Sequence, residues 1–463
     1  MTGDEQPPTA LRRIVGEIAR STDRPQSRAI AAAIGRLIHD GSLPVDSRLP
    51  TVRALSEALT VSPTTVSEAW NTLAGVGAIT AQGRRGTLVR RPSGPGTPLR
   101  YRQITEAPGH FDLDLSTGTP DPALLPDLGP VIARVSRQNL TSSYLDNPVL
   151  PALEDELVSS WPFEPEALTV VNGALDAVDR TCGTVLRLGD RVVVTHPAFP
   201  PMLDLLDQIG CEVIAVDLDE EGPAVDSMES AMATAPRAII LQPRAHNPTG
   251  ASMSPGRCDE LASLLAASPD TMIIEDDHTN SIAVSPLVSF GAMFPERTVH
   301  IRSFSKSHGP DLRLAALGGA GDVVRAVMNR RLLGPGWSSR ILQALLVELL
   351  ADPAMGDVLA RATATYSRRR AIVADVLREH GVDVGHGDGI NMWVPVRNER
   401  AALITLASQG IGVAPGAPFL VRPDADHIRV TVGLITGDDR RVADVAERLA
   451  TAATHDQLRT SRG

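Results

Sequence analysis

The stretch Ser303-Phe304-Ser305-Lys306, followed by Pro310-Asp311-Leu312-Arg313, decides how the rest of this sequence is interpreted. Lys306 is the only lysine among 463 residues, and arginine supplies all the other positive side chains of the 44 lysines and arginines. An amine can lose its proton and attack a carbonyl, whereas a guanidinium stays protonated in proteins. Lys306 therefore has the chemistry needed to hold an aldehyde cofactor as a Schiff base. The alternative is a stray surface lysine, and the neighbouring sequence discriminates between the two.

Apolar, often β-branched runs alternate with helical patterns from Phe111 onward. The runs are Leu168–Val171, Val192–Thr195, Val213–Val216, Ala238–Leu241, Met272–Glu275 and Val299–Arg302. Helical patterns such as Ala174–Leu186 lie between them. This alternation predicts an α/β domain built on a mostly parallel sheet. Ligands bind such sheets at the carboxyl ends of the strands, and Lys306 follows the last of these runs.

Residues suited to one cofactor follow most of these strands. Asn172-Gly173-Ala174-Leu175 opens a helix whose free amides can hold a phosphate. Phe199 can stack on a flat ring, Asn247 can bond a phenolic oxygen, and Asp276 can pair with a protonated pyridine nitrogen. Arg313 provides a second phosphate partner. Each residue alone has an ordinary explanation as a helix cap, a turn or a core residue, but their order describes one molecule, pyridoxal 5′-phosphate.

The N-terminal part of the chain has a different pattern, with three helices followed by two short strands. The predicted elements are Ala29–His39, Val52–Leu59, Pro63–Leu73, Ala78–Ala81 and Thr87–Arg90. Ser62 is a good N-cap and Pro63 a good first residue for the third helix. This order of elements predicts a winged helix-turn-helix, whose recognition helix enters the major groove of DNA.

The charge distribution agrees with a DNA-binding head. Residues 26–91 carry a net charge of +4, whereas the chain beyond them carries −15. A basic module on an acidic body indicates an anion-binding domain, plausibly for nucleic acid. A chance excess of arginines is the alternative. The residues expected to face DNA are Arg48, Thr51, Arg53, Ser62, Thr64, Thr65, Ser67, Arg84 and Gly86.

The motif Leu49-Pro50-Thr51-Val52-Arg53-Ala54-Leu55, together with Val61–Val66 and Gly86–Val89, closely resembles the GntR-type winged helix. Pro63 and Ser67 stand where many members of that family carry arginines that contact DNA. The resemblance therefore implies that specificity rests more on Arg53, on the hydroxyl groups and on the wing.

The region from Asp112 to Leu449 resembles the fold-type I, class I and II aminotransferases. Fused behind a GntR-type winged helix, it resembles the MocR subfamily of bacterial regulators. The resemblance implies that Lys306 forms the internal aldimine with pyridoxal 5′-phosphate, that Asp276 pairs with the ring nitrogen and that Asn247 pairs with the ring oxygen. The phosphate ligands that it implies are Gly173, Ala174, Leu175, Ser303 and Arg313.

Three further roles come only from this resemblance. Arg429, in His427-Ile428-Arg429-Val430, corresponds to the family arginine that binds an amino acid carboxylate. Tyr144 would reach the phosphate of the partner subunit, which implies a homodimer. His278 occupies the place of a tyrosine that contacts the cofactor oxygen, and its imidazole could donate the same hydrogen bond or titrate.

The domain limits predicted from sequence are 26–91 for the winged helix, 92–110 for a linker and 111–455 for the domain that binds pyridoxal phosphate. The linker is rich in proline, glycine and arginine, which favours a flexible segment, with an ordered strap on the body as the alternative. No run approaches the roughly 18 apolar residues of a membrane span. The polar N-terminus and three scattered cysteines predict a cytoplasmic protein without a metal site.

Two main functions remain open at this point. The first is a transcriptional regulator that binds a double-stranded DNA operator and senses pyridoxal phosphate, an amino acid or another small amine through an aldimine. The second is a working aminotransferase that carries a DNA-binding appendage. A third possibility is a body without cofactor that serves only to form the dimer.

Overall fold

The computed structural model describes residues 8–21, 25–39, 42–44, 47–75, 79–81, 86–89, 99–105, 111–138 and 143–455. The chain divides into two compact units, residues 1–98 with 207–211 and residues 99–206 with 212–463. The elements of the N-terminal part are α1 (Pro8–Ser21), α2 (Ser27–His39), α3 (Val52–Leu59), α4 (Pro63–Gly75), β1 (Ile79–Ala81) and β2 (Thr87–Val89).

The N-terminal elements form the predicted helix-turn-helix with a β-ribbon. Thr51 accepts a hydrogen bond from the N–H of Ala54 and caps α3, while Ser62 accepts one from the N–H of Thr65 and caps α4. Strands β1 and β2 pair antiparallel. Buried Leu55, Val66 and Trp70 place α3 and α4 on one apolar core.

Helix α1 lies before the residue at which the winged helix is predicted to begin. Ile14 and Ile18 are buried in the same core as Ile30 and Leu55. The apolar face of α1 therefore belongs to this unit.

Beyond residue 98 the helices are α5 (Leu99–Thr105), α6 (Leu128–Val135), α7 (Pro151–Ser159), α8 (Ala174–Val185), α9 (Pro200–Ile209), α10 (Val225–Met232), α11 (Pro255–Leu265), α12 (Gly321–Leu332), α13 (Arg340–Leu350), α14 (Met355–Glu379), α15 (Glu399–Ser408) and α16 (Asp439–Thr454). The strands are β3 (Leu113–Asp114), β4 (Ala167–Val171), β5 (Arg191–His196), β6 (Glu212–Asp219), β7 (Gly222–Pro223), β8 (Ala238–Leu241), β9 (Met272–Asp277), β10 (Thr298–Ser303), β11 (Ala315–Gly319), β12 (Met392–Pro395), β13 (Ile411–Gly412), β14 (Ala414–Pro415) and β15 (His427–Val430).

The main sheet has the order β4-β11-β10-β9-β8-β5-β6-β7. The pairs β10–β9, β9–β8, β8–β5 and β5–β6 are parallel, as predicted for an α/β domain. The chain passes outward from β5 to β6 and then returns to the opposite side of β5 to form β8. This reversal creates a switch point between β5 and β8, the place at which ligands bind in open α/β sheets.

Strand β11 is the main difference from the predicted sheet. It inserts antiparallel between β10 and β4, and all five of its residues are buried. Its sequence, Ala-Ala-Leu-Gly-Gly, is poor in the β-branched and aromatic residues that favour strands. The packing explains the composition, because a Cβ at Gly318 would lie 2.9 Å from the ring of Trp161.

Part of the predicted linker is ordered. Residues 99–105 form α5, whereas residues 92–98 and 106–110 lie outside the described residues. The backbone N–H groups of Arg100 and Tyr101 donate to the carboxylate of Asp204. Residues 99–105 are therefore an ordered segment on the body, which was the alternative to the flexible linker favoured by composition.

Helix α7 offers a direct test of the packing. Leu153 is fully buried against Trp161, Leu168 and Phe304, so Leu153→Ala should lower the free energy of unfolding by about 2–5 kcal/mol. Val158 lies on the same helix but is half-exposed, so Val158→Ala should change it by less than about 0.5 kcal/mol. Urea denaturation of both variants measures the difference, and equal effects would contradict this placement of α7.

Candidate functional site

The carboxyl ends of several strands bring the predicted ligand residues to one edge of the sheet. Val171 ends β4 and Ser303 ends β10, and both are in register with Ala315, the first residue of the antiparallel strand β11 between them. Asp276 lies opposite Ile301 on the neighbouring pair. The turns that follow these strand ends carry the remaining candidates, including Lys306.

Lys306 and Asp276 form an electrostatic pair at this edge. Burial lowers the pKa of Lys306 to about 8, and Arg429 acts in the same direction, whereas the carboxylate of Asp276 opposes the shift. Burial raises the pKa of Asp276 to about 6, against the hydrogen bond from Gln242 and the charge of Lys306. The lowered pKa of Lys306 increases the fraction of neutral amine near neutral pH, which is the form that can attack a carbonyl.

Several buried polar atoms at this site have no hydrogen-bond partner among the described residues. They are Oδ1 of Asp276, Oδ1 of Asn247 and both ring nitrogens of His278. A buried polar group without a partner costs free energy, and native structures contain few of them. These atoms therefore need hydrogen-bond partners that the described protein residues do not supply.

Gln242 joins two of the candidate residues and was not identified from the sequence. Its Nε2 donates to Oδ2 of Asp276 at 2.8 Å, and its Oε1 accepts the N–H of Asn247 at 2.9 Å. Gln242 therefore fixes both side chains relative to each other. Its position directly after β8 was the available signal.

His246 supports the same loop and was also missed. Its two ring nitrogens lie 2.8 Å from the hydroxyl of Thr195 and 2.9 Å from the hydroxyl of Thr249. Burial lowers the pKa of His246 to about 3, so the ring stays neutral and serves as a hydrogen-bonded spacer.

The predicted phosphate residues meet at the start of α8. Gly173 precedes α8 with φ +100°, and no side chain caps this helix end. Nη2 of Arg313 donates to the carbonyl of Asn172 at 3.3 Å, and a Cβ at Gly173 would lie 2.9 Å from that nitrogen. Glycine thus allows a guanidinium to approach free helix amides, and both favour an anion. Of the other predicted members, Ser303 is buried, Ala174 is half-buried and Leu175 is exposed.

Arg429 is buried on β15. It donates to the carbonyl of Ser116, and its Cζ lies 5.4 Å from the ring centroid of Phe419. Gly118 makes room for it, because a Cβ there would lie 2.7 Å from Nη1. Burial lowers the pKa of Arg429 to about 10, and the charge of Asp114 opposes this shift. Such a guanidinium can donate hydrogen bonds to the carboxylate of a ligand.

Two predicted residues occupy different positions from this cluster. Phe199 is half-buried immediately before α9, where its carbonyl accepts the N–H of Met202. Tyr144 is 89% exposed, and its ring lies 5.8 Å from that of Trp337. Within one chain, the described contacts of Tyr144 do not include the residues around Lys306.

The predicted DNA-facing residues separate into two groups. Thr51, Ser62 and Thr65 use their hydroxyl groups in the caps of α3 and α4, since Ser62 Oγ lies 2.8 Å from Thr65 Oγ1. Thr64 is exposed, and Ser67 is half-buried on the same helix.

Two arginines lie on exposed parts of the same unit. Arg53 is exposed on α3 and pairs with Glu57 at 3.0 Å. Arg48 lies beside the wing, because a Cβ at Gly86 would be 2.7 Å from its Nε. Arg84 lies outside the described residues.

Comparison with known proteins agrees with both halves of this description. Residues 112–449 match the family described as aminotransferase class I and II, and residues 26–89 match the bacterial regulatory proteins of the gntR family. The chain is 33% identical over 424 residues to the vitamin B6 salvage pathway transcriptional repressor PtsJ of Salmonella typhimurium, covering 90% of this chain and 96% of that one. It is 27% identical to the pyridoxine biosynthesis regulator PdxR of Corynebacterium glutamicum, covering 74% and 77% of the two chains.

Solved structures show the same fold for the second unit. The α-aminoadipate aminotransferase LysN of Thermus thermophilus matches with a TM-score of 0.68 at 19% identity, covering 83% of this chain and 98% of that one. The kynurenine aminotransferase of Pyrococcus horikoshii matches with a TM-score of 0.68 at 18% identity, covering 78% and 95%. At these identities the likeness concerns the fold alone.

The fold and the site define a winged-helix regulator joined to an aminotransferase-like body. The chain belongs to the class I and II aminotransferase family in its body and to the gntR family in its head, the combination found in the MocR subfamily of transcriptional regulators. Among the described residues, no helix combines the length and apolar composition needed to cross a bilayer.

The single lysine makes the Lys306–Asp276 pair measurable. In the cofactor-free protein, acylation of Lys306 at increasing pH should have a midpoint near the pKa of about 8. Asp276→Asn removes the carboxylate that stabilises the ammonium, so the midpoint should move to lower pH. Mass spectrometry of the Lys306 peptide separates it from the α-amino group. Asp311→Asn, an exposed acid nearby, serves as the control, and an unchanged or raised midpoint in Asp276→Asn would contradict the pairing.

Proposed function

We propose that this regulator holds pyridoxal 5′-phosphate on Lys306 and senses the cofactor, an amino acid or another small amine there. The observation that carries the proposal is the set of buried acceptors without donors beside Lys306, namely Oδ1 of Asp276 and Oδ1 of Asn247. A protonated pyridine nitrogen and a phenolic group supply hydrogen-bond donors of the kind that these two atoms lack. When bound, the cofactor supplies an aldehyde that reacts with amines.

Each protein residue then has a defined task. Asp276, held by Gln242, would keep a proton on the ring nitrogen. Gly173, the first amides of α8 and Arg313 would bind the phosphate, with Ser303 at the adjacent strand end. Arg429 would orient the carboxylate of an amino acid, and its burial strengthens that interaction.

The regulatory proposal requires two states that bind the ligand unequally. A ligand shifts an equilibrium only through its differential affinity for the states. Two relatives, PtsJ and PdxR, are named for vitamin B6 salvage and pyridoxine biosynthesis, which supports the cofactor itself as one signal for this chain.

The proposed DNA-binding and ligand-binding domains span residues 26–91 and 111–455.

We also propose a homodimer in which Tyr144 reaches the partner's phosphate. Tyr144 and Leu145 are 89% and 95% exposed, and Leu333 and Ile341 are exposed too. Arg340 holds the loop that bears Tyr144 through hydrogen bonds to the carbonyls of Asp146 and Asn147. Exposed apolar side chains on an ordered loop are suited to contact another subunit.

Lys306→Ala tests the cofactor site. Wild-type protein incubated with pyridoxal 5′-phosphate should develop a visible absorbance band, and borohydride should leave one reduced adduct on the Lys306 peptide. Lys306→Ala should show neither result because the chain contains no other lysine. Asp311→Asn should behave as wild type. A wild-type protein without the adduct would contradict the proposal.

Arg53→Ala tests the DNA-binding surface. Loss of a base contact should weaken binding to the specific operator by about 1–3 kcal/mol. Glu57→Ala is the matched control, because it removes the partner of Arg53 and leaves its cation available. Operator binding measured by fluorescence anisotropy should fall for Arg53→Ala and stay equal or increase for Glu57→Ala. Equal affinity of Arg53→Ala and wild type would remove Arg53 from the interface.

A further inference from the structure

Helix α5 is anchored on the second unit by a buried carboxylate. Asp204 on α9 accepts hydrogen bonds from the backbone N–H groups of Arg100 at 3.1 Å and Tyr101 at 3.0 Å. Asp204 is buried, and a buried carboxylate is costly unless donors satisfy it. Both of these donors belong to α5, so docking of the helix and burial of Asp204 depend on each other.

Side-chain contacts extend the docking to residues 414–420. Ile104 of α5 is buried with Ala414 and Phe419, and Trp393 packs against this cluster. Nη1 of Arg100 donates to the carbonyl of Leu420 at 2.9 Å. The helix therefore contacts this segment through both an apolar and a polar group.

Phe419 connects the docked helix to the ligand site. Its ring lies 5.4 Å from the guanidinium of Arg429, and its carbonyl accepts the N–H of Ala198 at 2.9 Å. Ala198 immediately precedes Phe199, the predicted ring-stacking residue. Phe419 thus packs with α5 and also contacts Arg429 of the ligand site.

Tyr101 places α5 within electrostatic range of the same guanidinium. Burial is the main cause of the lowered pKa of Arg429, and Asp114 and Tyr101 both oppose it.

We propose that α5 is a positioning element of the ligand site, whose docking on Asp204 and Phe419 holds Arg429 in the orientation that binds a ligand carboxylate. This inference rests on the proposed function. Binding free energies are reciprocal, so a carboxylate ligand that is favoured by docked α5 must favour docking by the same factor. Because α5 begins at Leu99, where the second unit starts in sequence, ligand binding favours the docked state of the first helix of that unit.

If α5 positions Arg429, undocking the helix should weaken the binding of ligands that carry a carboxylate. If α5 only stabilises the domain, undocking it should weaken the binding of every ligand equally. Aminooxyacetate and methoxyamine both react with a bound aldehyde, but only the first carries a carboxylate. The measured quantity is the preference of the full-length, cofactor-loaded protein for aminooxyacetate over methoxyamine, from the loss of the visible absorbance band.

Asp204→Ala and Ile104→Ala should each reduce this preference on the order of tenfold. Arg429→Gln should abolish it. Gln103→Ala, at an exposed position of the same helix, should leave it unchanged. An unchanged preference in both docking variants, or an equal loss for both reagents, would overturn the positioning role.

Hydrogen–deuterium exchange of residues 99–105 provides a readout that is independent of the cofactor. In cofactor-free protein, Asp204→Ala should remove protection that wild type and Gln103→Ala retain. In loaded wild type, aminooxyacetate should protect this segment more than methoxyamine does. Equal protection by the two reagents would overturn the coupling, while a wild-type protein without a visible band would instead overturn the cofactor assignment and the inference built on it.

Discussion

The burial of one amine beside one carboxylate is the interaction on which this site depends. Burial disfavours the charged form of both groups, since it lowers the pKa of Lys306 and raises that of Asp276. Each nevertheless stabilises the charged form of the other, which limits both shifts. The sheet imposes this arrangement, since β9 and β10 are parallel neighbours whose carboxyl ends lie at the same edge. Buried polar atoms at this site lack hydrogen-bond partners among the described residues, and a ligand with complementary polar atoms would supply them.

Much of this arrangement could be predicted from the sequence. The apolar runs gave the strands because a buried parallel strand reads as an uninterrupted β-branched stretch, and β8 has the predicted bounds. The cap at Ser62 predicted the start of α4 for a similarly local reason. Lys306, Asp276 and Asn247 were identified because their positions after successive strands converge in any sheet of this class. Their roles toward a cofactor remain proposals.

The missed features depend on contacts between distant parts of the chain. Gln242 matters through Asp276 and Asn247, and nothing in its local pattern distinguishes it from a turn residue. Gly118 is required by Arg429, which follows it by more than 300 residues. Helices α1 and α5 are short or isolated in sequence, so their partners could not be assigned from periodicity. Strand β11 was missed for the same reason. Its small residues are required by close neighbours such as Trp161, and strand propensity does not take such contacts into account.

His278 illustrates what structure adds to a residue that sequence left ambiguous. Sequence alone allowed this imidazole either to donate a hydrogen bond in place of a tyrosine or to titrate. Burial lowers its pKa well below the ordinary value, and the charge of Lys306 acts in the same direction. The ring is therefore neutral near neutral pH, with one nitrogen as donor and the other as acceptor. Both nitrogens lack partners among the described residues, so the donor can serve a ligand oxygen as a tyrosine would, while the acceptor still requires a donor. A tyrosine has no second ring atom with this requirement, and His278 therefore favours a ligand or ordered water that offers a hydrogen to its second nitrogen.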